Sequence, residues 1–462
     1  MTEPDQWPYW EAVFDTDGDI NSADKSNLVD AVGGASLTDL IVFSHGWNND
    51  QNGARSLYRR WFEIQRPLLV ADANKRVGTI GVIWPSMRWP DEPIADVDSD
   101  SGGMASVGGQ RAVGDAGGED VRAVITVYPQ QRQKEILEEL AELLDSPPLT
   151  DDEADEALTR MHALMRRLSN TETSDGSAED SGELAMLQEN PRALAARFTA
   201  AVEGAASAPA DSDAGGVAAV GLVDASLAPF GGDDGPASLK LSPRRLWAGA
   251  KEALRQLTYW QMKQRAGTIG QHGLGPLLRD LTVLGSPRIH LIGHSFGARL
   301  GSFALLALPE GEASPVHSLT LLQGAFSHSS FAKRLPHDEN RSGALAGQEK
   351  KVRGPITVCF SPFDSAVGTF YPLASMASGQ DAAALPFVQG RWGGMGYDGA
   401  QGVEAKRLTL VAGTLTFDPA APGFLNVNAA DVIRAGGPPS GAHSDIFHPE
   451  LAALHLSAAG LR

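Results

Sequence analysis

Short apolar runs bounded by polar residues recur at both ends of the chain and are typical of buried strands. Among them, apolar residues also recur every three to four positions, which is the spacing of one helix face. Strands that alternate with helices predict an α/β fold with a mostly parallel central sheet flanked by helices. The predicted strands cover residues 10–14, 39–44, 77–84, 286–292, 318–322, 355–360 and 407–416. The predicted flanking helices cover residues 55–70, 243–281, 298–308 and 450–458.

The middle of the chain differs in composition from both ends. Long stretches rich in Ala, Gly, Ser and Asp separate its amphipathic helical segments. We therefore predict a first part of the α/β core (1–91), a helical, acidic, linker-rich and partly disordered insertion (92–241) and a second part of the core (242–462). The helices predicted in the insertion cover residues 130–144, 153–168 and 183–202.

Charge and cysteine content restrict the partners and the compartment. With 57 acidic and 38 basic residues the formal net charge is −19, and a field of that sign repels phosphate backbones, so we expect no nucleic-acid partner. The single cysteine, Cys359, excludes an intrachain disulfide and any cysteine-rich metal cage. The first residues lack the basic and apolar regions of a signal peptide, and no apolar run is long enough to span a membrane. We expect a cytoplasmic protein without an integral membrane segment, and export without a signal stays open.

One short motif suggests nucleophilic chemistry. Gly293-His-Ser-Phe-Gly297 lies between an apolar strand and an apolar helix, which is the setting of a sharp strand–turn–helix that exposes a serine. Side chains at the two glycine positions would collide with the neighbouring backbone as it bends. We predict Ser295 as the nucleophile, and the alternative interpretation is a simple glycine-rich turn.

An activated serine needs a base and an acid that orients the base. Asp364 follows the predicted strand 355–360 and is our candidate acid. Its alternative role is to cap a turn, with Asp418 and Asp431 as reserve acids. The candidate base is His443, in a loop near the C-terminus. The alternative bases are weaker candidates, because His448 precedes Pro449 at a helix start and His455 lies inside the final helix.

The reaction also needs donors for an oxyanion, and the turn after strand 39–44 can supply one. Gly46 lets the backbone turn toward the serine, so we predict the backbone amides of Trp47 and Phe296 as the two donors. His45, Gly46 and His294 are expected to line the site. Trp47 has an alternative role as a core aromatic, which is compatible with the first.

No metal or cofactor is expected. Residues 15–24 partly resemble a calcium loop, but Val13 stands at the first ligand position and no helix pattern precedes it, so a hairpin turn is the favoured interpretation. No phosphate-binding loop and no zinc-peptidase motif occurs in the sequence.

Taken together, these residues resemble the α/β-hydrolase superfamily. The resemblance rests on a strand ending in Ser44-His-Gly46, an elbow at Gly293–Gly297, and Asp364 and His443 following the serine in that order. The phrases Phe43-Ser-His-Gly-Trp-Asn48, Tyr259-Trp-Gln-Met-Lys-Gln-Arg-Ala-Gly267 and His443-Ser-Asp-Ile are similar to those of a group of poorly characterised bacterial serine hydrolases. One glycine, not a run of them, precedes Trp47, as in the single-glycine oxyanion class. The resemblance covers residues 1–91 and 245–462.

The resulting hypothesis is a serine acyl hydrolase, esterase-like or lipase-like, that acts on a small-molecule or lipid ester. The same machinery also serves a thioesterase, a peptidase, a lipid-acting enzyme or an acyltransferase. A further alternative is a non-catalytic binding protein on a hydrolase scaffold. The insertion is expected to be a lid or a partner-binding arm, so that deleting residues 92–240 alters substrate preference and leaves the turnover of small esters.

Overall fold

One eight-stranded parallel sheet organises the chain. Its strand order is β1-β3-β2-β4-β5-β6-β8-β7, and every neighbouring pair is parallel. The strands are β1 (Tyr9–Val13), β2 (Asp39–Ser44), β3 (Val77–Ile83), β4 (Arg288–His294), β5 (Val316–Leu322), β6 (Pro355–Phe360), β7 (Ala405–Thr409) and β8 (Gly423–Asn428). This computed structural model describes residues 7–47, 49–69, 76–86, 117–169, 186–207, 241–282, 287–336, 338–370, 393–418, 421–436 and 440–462.

Helices lie between most consecutive strands. Three of them, α6, α7 and α11 below, start with a proline, whose fixed φ suits the first turn and whose missing N–H is not needed there. The helices are α1 (Ser22–Gly34), α2 (Gln51–Gln65), α3 (Gly118–Ile125), α4 (Gln131–Leu144), α5 (Asp151–Ser169), α6 (Pro191–Ser207), α7 (Pro243–Thr268), α8 (Gly275–Asp280), α9 (Phe296–Ala304), α10 (Met395–Asp398) and α11 (Pro449–Ala458).

The sheet is covered on both faces, which explains why its central strands are apolar along their whole length. On one face, Leu57 and Trp61 of α2 pack with Leu451 and Leu454 of α11 in one buried cluster. On the other face, apolar residues of α1, α7 and α9 form a second cluster with the alternate residues of the same strands. β2 and β3 are buried at every position, as a strand between two helical layers must be.

The strand order reverses direction between β2 and β4. The chain leaves β2 toward β3 on one side, whereas it leaves β4 toward β5 on the other side. At such a switch point the two connections diverge and leave a crevice at the carboxyl ends of the two strands, where ligands bind in open α/β sheets. Gly46 and Ser295 follow these two strand ends directly, so the fold brings both residues to this crevice.

The described part of the insertion packs on the core as four helices. Helix α6 runs against α7, and α5 contacts both of them. Gly249 of α7 lies so close to α6 that a Cβ atom there would be 2.0 Å from the carbonyl oxygen of Ala195. Apolar residues of α3 to α6 belong to the same buried cluster as α7 and one face of the sheet. The helices of the insertion are therefore joined to the core by buried apolar surface.

Most predicted elements occur in the structure, with ends shifted by a few residues. The predicted hairpin at residues 15–24 is wrong: β1 pairs in parallel with β3, and the chain after β1 enters α1, which the Asn21 side chain caps. The predicted strand 407–416 is shorter than expected, since only Ala405–Thr409 pairs. Strand β8 and helices α1, α3 and α10 were not predicted. Residues 70 and 183–185 of two predicted helices lie outside the described residues. None of the described helices combines the length and apolar character that crossing a membrane requires.

Candidate active site

Ser295 lies in a sharp turn between β4 and α9. Its backbone has φ 57° and ψ −121°, a conformation that residues with a side chain rarely adopt. The Ser295 N–H donates to the Leu322 carbonyl at 3.0 Å, and the Ser295 carbonyl accepts from the amides of Ala298 and Ala325 at 3.1 and 3.2 Å. The surrounding backbone thus holds the strained residue in place.

Three glycines make room for this turn. A Cβ atom at Gly293 would lie 2.3 Å from the carbonyl oxygen of Gly297, and one at Gly297 would lie 2.0 Å from that of Ser44. A Cβ atom at Gly46 would lie 2.5 Å from the Ser295 Cβ atom. Real Cβ atoms do not approach other atoms so closely, so each of these positions requires glycine. The collision predicted for the two motif glycines is confirmed.

The structure brings Ser295, His443 and Asp364 into one hydrogen-bonded chain. The Nδ1 atom of His443 lies 2.8 Å from Oδ2 of Asp364, and its Nε2 atom lies 2.9 Å from Oγ of Ser295. Because a carboxylate only accepts, Nδ1 carries the proton, and Nε2 is left to accept the serine hydroxyl. This is the arrangement in which imidazole can remove the serine proton.

Two donors fix the Asp364 carboxylate, and neither was predicted from the sequence. The amide N–H of Val367 donates to Oδ1 at 3.0 Å, and Nε2 of Gln323 donates to Oδ2 at 3.0 Å. Both Asp364 and Gln323 are fully buried, and Gln323 has a positive φ of 49° directly after β5. Its place at the carboxyl end of the strand next to β4 is the signal that points to it.

His294, the residue before the serine, contacts the base. Its Nε2 atom lies 2.9 Å from the backbone carbonyl oxygen of His443, and the two rings are 5.1 Å apart. Burial, and next to it the nearby His443, lower the pKa of His294 to about 3, so its ring is neutral near pH 7. His294 therefore lies against the His443 loop, and its role in lining the site stays a prediction.

His45 is buried beside Gly46. Its ring stacks on Trp84 at 5.3 Å, and the Trp84 Nε1–H donates to the His45 carbonyl at 3.0 Å. The His45 N–H donates to the Tyr58 hydroxyl at 2.9 Å, which in turn donates to the Val82 carbonyl. Burial lowers the pKa of His45 to about 4. These contacts anchor the first residue of the turn that leads to Trp47.

The side chains of the two residues predicted to supply the oxyanion donors both contact the ring of Tyr259. Phe296 is the first residue of α9, where backbone N–H groups have no partner within the helix. Trp47 lies in the turn after β2, and its partly buried ring meets the Tyr259 ring edge-on at 5.2 Å. Trp47 thus makes the packing contact of its alternative role, and its role as an oxyanion donor stays a prediction.

The other candidates lie in other surroundings. His448 immediately precedes α11, and its Nε2 atom is 2.7 Å from Oδ1 of Asp445. His455 is inside α11 and bonds to the Thr320 hydroxyl at 3.0 Å. Asp418 and Asp431 are exposed. The described ranges contain no group of three or more His, Cys, Asp or Glu side chains arranged to hold a metal ion.

Comparisons of the chain with protein-family models, with curated proteins and with solved structures gave no match. The function is therefore argued from the geometry of the site alone. What this geometry allows chemically is a proton transfer from Ser295 to His443 and attack by the serine oxygen on an electrophile in the crevice.

Proposed function

We propose that the protein is a serine hydrolase of the α/β-hydrolase fold that cleaves carboxylic esters through an acyl-enzyme intermediate. The observation that carries the proposal is the hydrogen-bonded chain from Ser295 Oγ through His443 to Asp364. Ser295, at one end of this hydrogen-bonded chain, is held in a strained turn at the switch point of the sheet. A serine without a base is a poor nucleophile, whereas a serine hydrogen-bonded to an oriented imidazole is an activated one.

The reaction would start with the Ser295 oxygen attacking the ester carbonyl while His443 takes the hydroxyl proton. The resulting imidazolium is stabilised by Asp364, and the tetrahedral oxyanion would accept hydrogen bonds from the amides of Trp47 and Phe296. His443 then returns the proton to the leaving alcohol as the C–O bond breaks. Water, activated by the same imidazole, attacks the acyl-enzyme and releases the acid.

The arrangement of the chain supports the proposal beyond the three side chains. The serine follows β4, the acid follows β6 and the histidine follows β8, which is the order serine, acid, histidine of α/β-hydrolases. Gly46, after β2, abuts Ser295, where a backbone donor for the oxyanion is needed. Four elements of one reaction thus meet at one edge of the sheet.

Labelling and turnover test the proposal directly. The wild-type protein is expected to react with a fluorophosphonate probe at Ser295 and to hydrolyse p-nitrophenyl acetate, whereas Ser295→Ala loses both activities. The matched control is Ser302→Ala, because Ser302 is a buried serine of α9, the helix that follows Ser295, and its hydroxyl donates to the Ala298 carbonyl at 2.8 Å. Equal labelling and equal turnover of wild type and Ser295→Ala would disprove the proposal.

A substrate panel decides which acyl bond is preferred. Esters, thioesters and amides all pass through a tetrahedral oxyanion, so the described geometry serves each of them. Comparing kcat/KM for matched esters, thioesters and anilides with the same acyl group separates an esterase from a thioesterase or peptidase. Product identification in the presence of an alcohol separates hydrolysis from acyl transfer.

A further inference from the structure

One aromatic side chain contacts both residues that would supply the oxyanion donors. The ring of Tyr259, on α7, lies 5.2 Å from the ring of Trp47 at an interplanar angle of 83°. It also lies 4.5 Å from the ring of Phe296 at 48°. Tyr259 is buried, with 6% of its surface exposed. Its ring therefore contacts both side chains.

The two predicted donor residues differ in how their backbones are held. Phe296 starts helix α9, so its backbone is fixed by a regular element, whereas Trp47 lies in a turn outside any helix or strand. The distance between the two amides consequently depends on what holds the turn. Oxyanion donors act only within about 2.7–3.1 Å of the developing charge. A displacement of about 1 Å at such a site can cost on the order of a hundredfold in rate.

The same helix also contacts the chain beside the turn through a second residue. Nη1 of Arg265, on α7, donates to the carbonyl of Pro85 at 2.9 Å and to that of Val127, in the insertion, at 3.0 Å. Pro85 follows Trp84, which stacks on His45 at the start of the turn. Helix α7 thus contacts the turn at Trp47 through Tyr259, and it holds the chain beside His45 through Arg265.

The insertion fixes the position of α7. Helix α6 approaches α7 closely at Gly249, and the Thr199 hydroxyl of α6 donates to the carbonyl of Arg245 at 2.9 Å. Farther along α7, Gln261 accepts a hydrogen bond from the hydroxyl of Tyr128, in the insertion. Helix α7 therefore contacts both the insertion and the oxyanion turn.

We propose that Tyr259 is a positioning residue for the oxyanion hole. The inference rests on the proposed serine-hydrolase function. Point variants of Tyr259 and of its partner Trp47 test it better than deletion of the insertion, because removing α3 to α6 would expose the buried surface of α7.

The experiment compares two substitutions of the same residue. Tyr259→Phe keeps the ring and its contacts, so we expect turnover of p-nitrophenyl acetate near that of wild type. Tyr259→Leu removes the ring, and we expect kcat to fall about 10- to 100-fold with KM changed less than about threefold, since the loss affects only the transition state. Affinity for a trifluoromethyl ketone, which forms the oxyanion on Ser295, is expected to fall in parallel with kcat.

A control and a second variant keep the test decisive. Leu257→Ala truncates an equally buried residue of α7 on roughly the opposite helix face, and we expect it to lower stability and leave kcat unchanged. If Tyr259→Leu does not fold, Trp47→Leu removes the partner ring from a partly exposed site and is expected to give the same selective loss in kcat.

The outcomes separate this inference from the proposed function. If wild type neither labels with a fluorophosphonate nor hydrolyses esters, the proposed function fails and the inference fails with it. If wild type is active and Ser295→Ala is inactive, the function holds. In that case, a folded Tyr259→Leu variant whose kcat is within twofold of wild type overturns the positioning role alone. Where Tyr259→Leu does not fold, the same result for Trp47→Leu overturns it.

Discussion

The Nε2 atom of His294 lies 2.9 Å from the backbone carbonyl oxygen of His443. The residue before the candidate nucleophile thus holds the main chain of the candidate base. Because a carbonyl only accepts, Nε2 of His294 carries the proton. Within the described part of the chain, the Nδ1 atom has no hydrogen-bond partner. The low pKa of about 3 keeps this ring in the neutral form that makes the bond.

Removing this hydrogen bond is expected to slow catalysis more than it weakens substrate binding. His294→Phe leaves a buried carbonyl without its donor, which costs about 1–3 kcal/mol, and lets the His443 loop move. We expect kcat for p-nitrophenyl acetate to fall about tenfold with a small change in KM. His294→Gln offers an amide donor and is expected to recover part of the rate. Equal rates for both variants would show that the bond does not position the base.

Gln323 is expected to contribute through Asp364. Its side chain donates to the same carboxylate oxygen that accepts from His443. A hydrogen bond to a charged group contributes about 1.5–3 kcal/mol, so Gln323→Leu should lower kcat by about tenfold or more. Asp364→Asn should lower it further, by about 10⁴-fold, because the imidazole is then held in the wrong tautomer. Stopped-flow or steady-state ester hydrolysis at fixed pH measures both.

The control for Gln323 is Gln401, a partly buried glutamine whose side chain also donates a hydrogen bond. Gln401 donates to the carbonyl of Asp398 at 2.8 Å. Gln401→Leu is expected to leave kcat within about twofold of wild type. A Gln323→Leu variant that is folded and as active as Gln401→Leu would contradict the role of Gln323.

Two glycines of the same helix should respond oppositely to alanine. At Gly297 a Cβ atom would lie 2.0 Å from the Ser44 carbonyl oxygen, whereas at Gly301 the nearest atom, Leu319 Cδ1, would be 3.8 Å away. We expect Gly297→Ala to destabilise the fold by about 3 kcal/mol or more, as overpacking against backbone does, and to abolish fluorophosphonate labelling. Gly301→Ala should be neutral or stabilising by about 0.5–1 kcal/mol. Thermal unfolding measures both, and similar melting temperatures would refute the contrast.

The parts of the site that depend on local chain geometry were predictable from the sequence. The motif glycines indicate a sharp turn, because β4 and α9 flank them directly. Asp364 and His443 were predicted from their places along the chain, one after a predicted strand and the other in a loop near the C-terminus. The structure brings these three side chains together, and their catalytic roles stay predictions. Gln323 was not found, because its contact with Asp364 depends on two neighbouring strands and on a positive φ that a glutamine does not signal.

Weak or polar patterns account for the missed elements. Helix α1 buries only Leu28 and Val32, so its apolar stripe is too narrow to stand out. Strand β8 includes Asn426, a buried polar residue whose side-chain oxygen accepts from the Ala400 amide, so it does not read as an apolar run. The hairpin interpretation of residues 15–24 failed because parallel pairing of β1 depends on β3, whose paired residues lie seventy positions farther along the chain (Tyr9 pairs with Thr79).

Burial of His455 makes the stability of the fold depend on pH. His455 of α11 is fully buried, and its Nδ1 atom bonds to the Thr320 hydroxyl. Burial, and next to it the neighbouring His290, lower the pKa of His455 to about 3. An unfolded histidine has a pKa of about 6.5. Between these values the unfolded chain binds a proton that the folded chain does not, so the free energy of unfolding falls as the pH falls from about 6.5 toward 3.

Replacing His455 by glutamine should therefore reduce the acid sensitivity of the fold. In His455→Gln this residue no longer adds to the difference in bound protons between the unfolded and the folded chain. The slope of unfolding free energy against pH between 6 and 4 should therefore decrease by about 1 kcal/mol per pH unit. Near pH 8 the variant should be equal to wild type or less stable, because neither state of wild type is then protonated at this residue. Urea unfolding at a series of pH values measures the slope. The control is His272→Gln, which removes an exposed histidine. Parallel pH curves for wild type and His455→Gln would mean that the folded state already accommodates the charged ring.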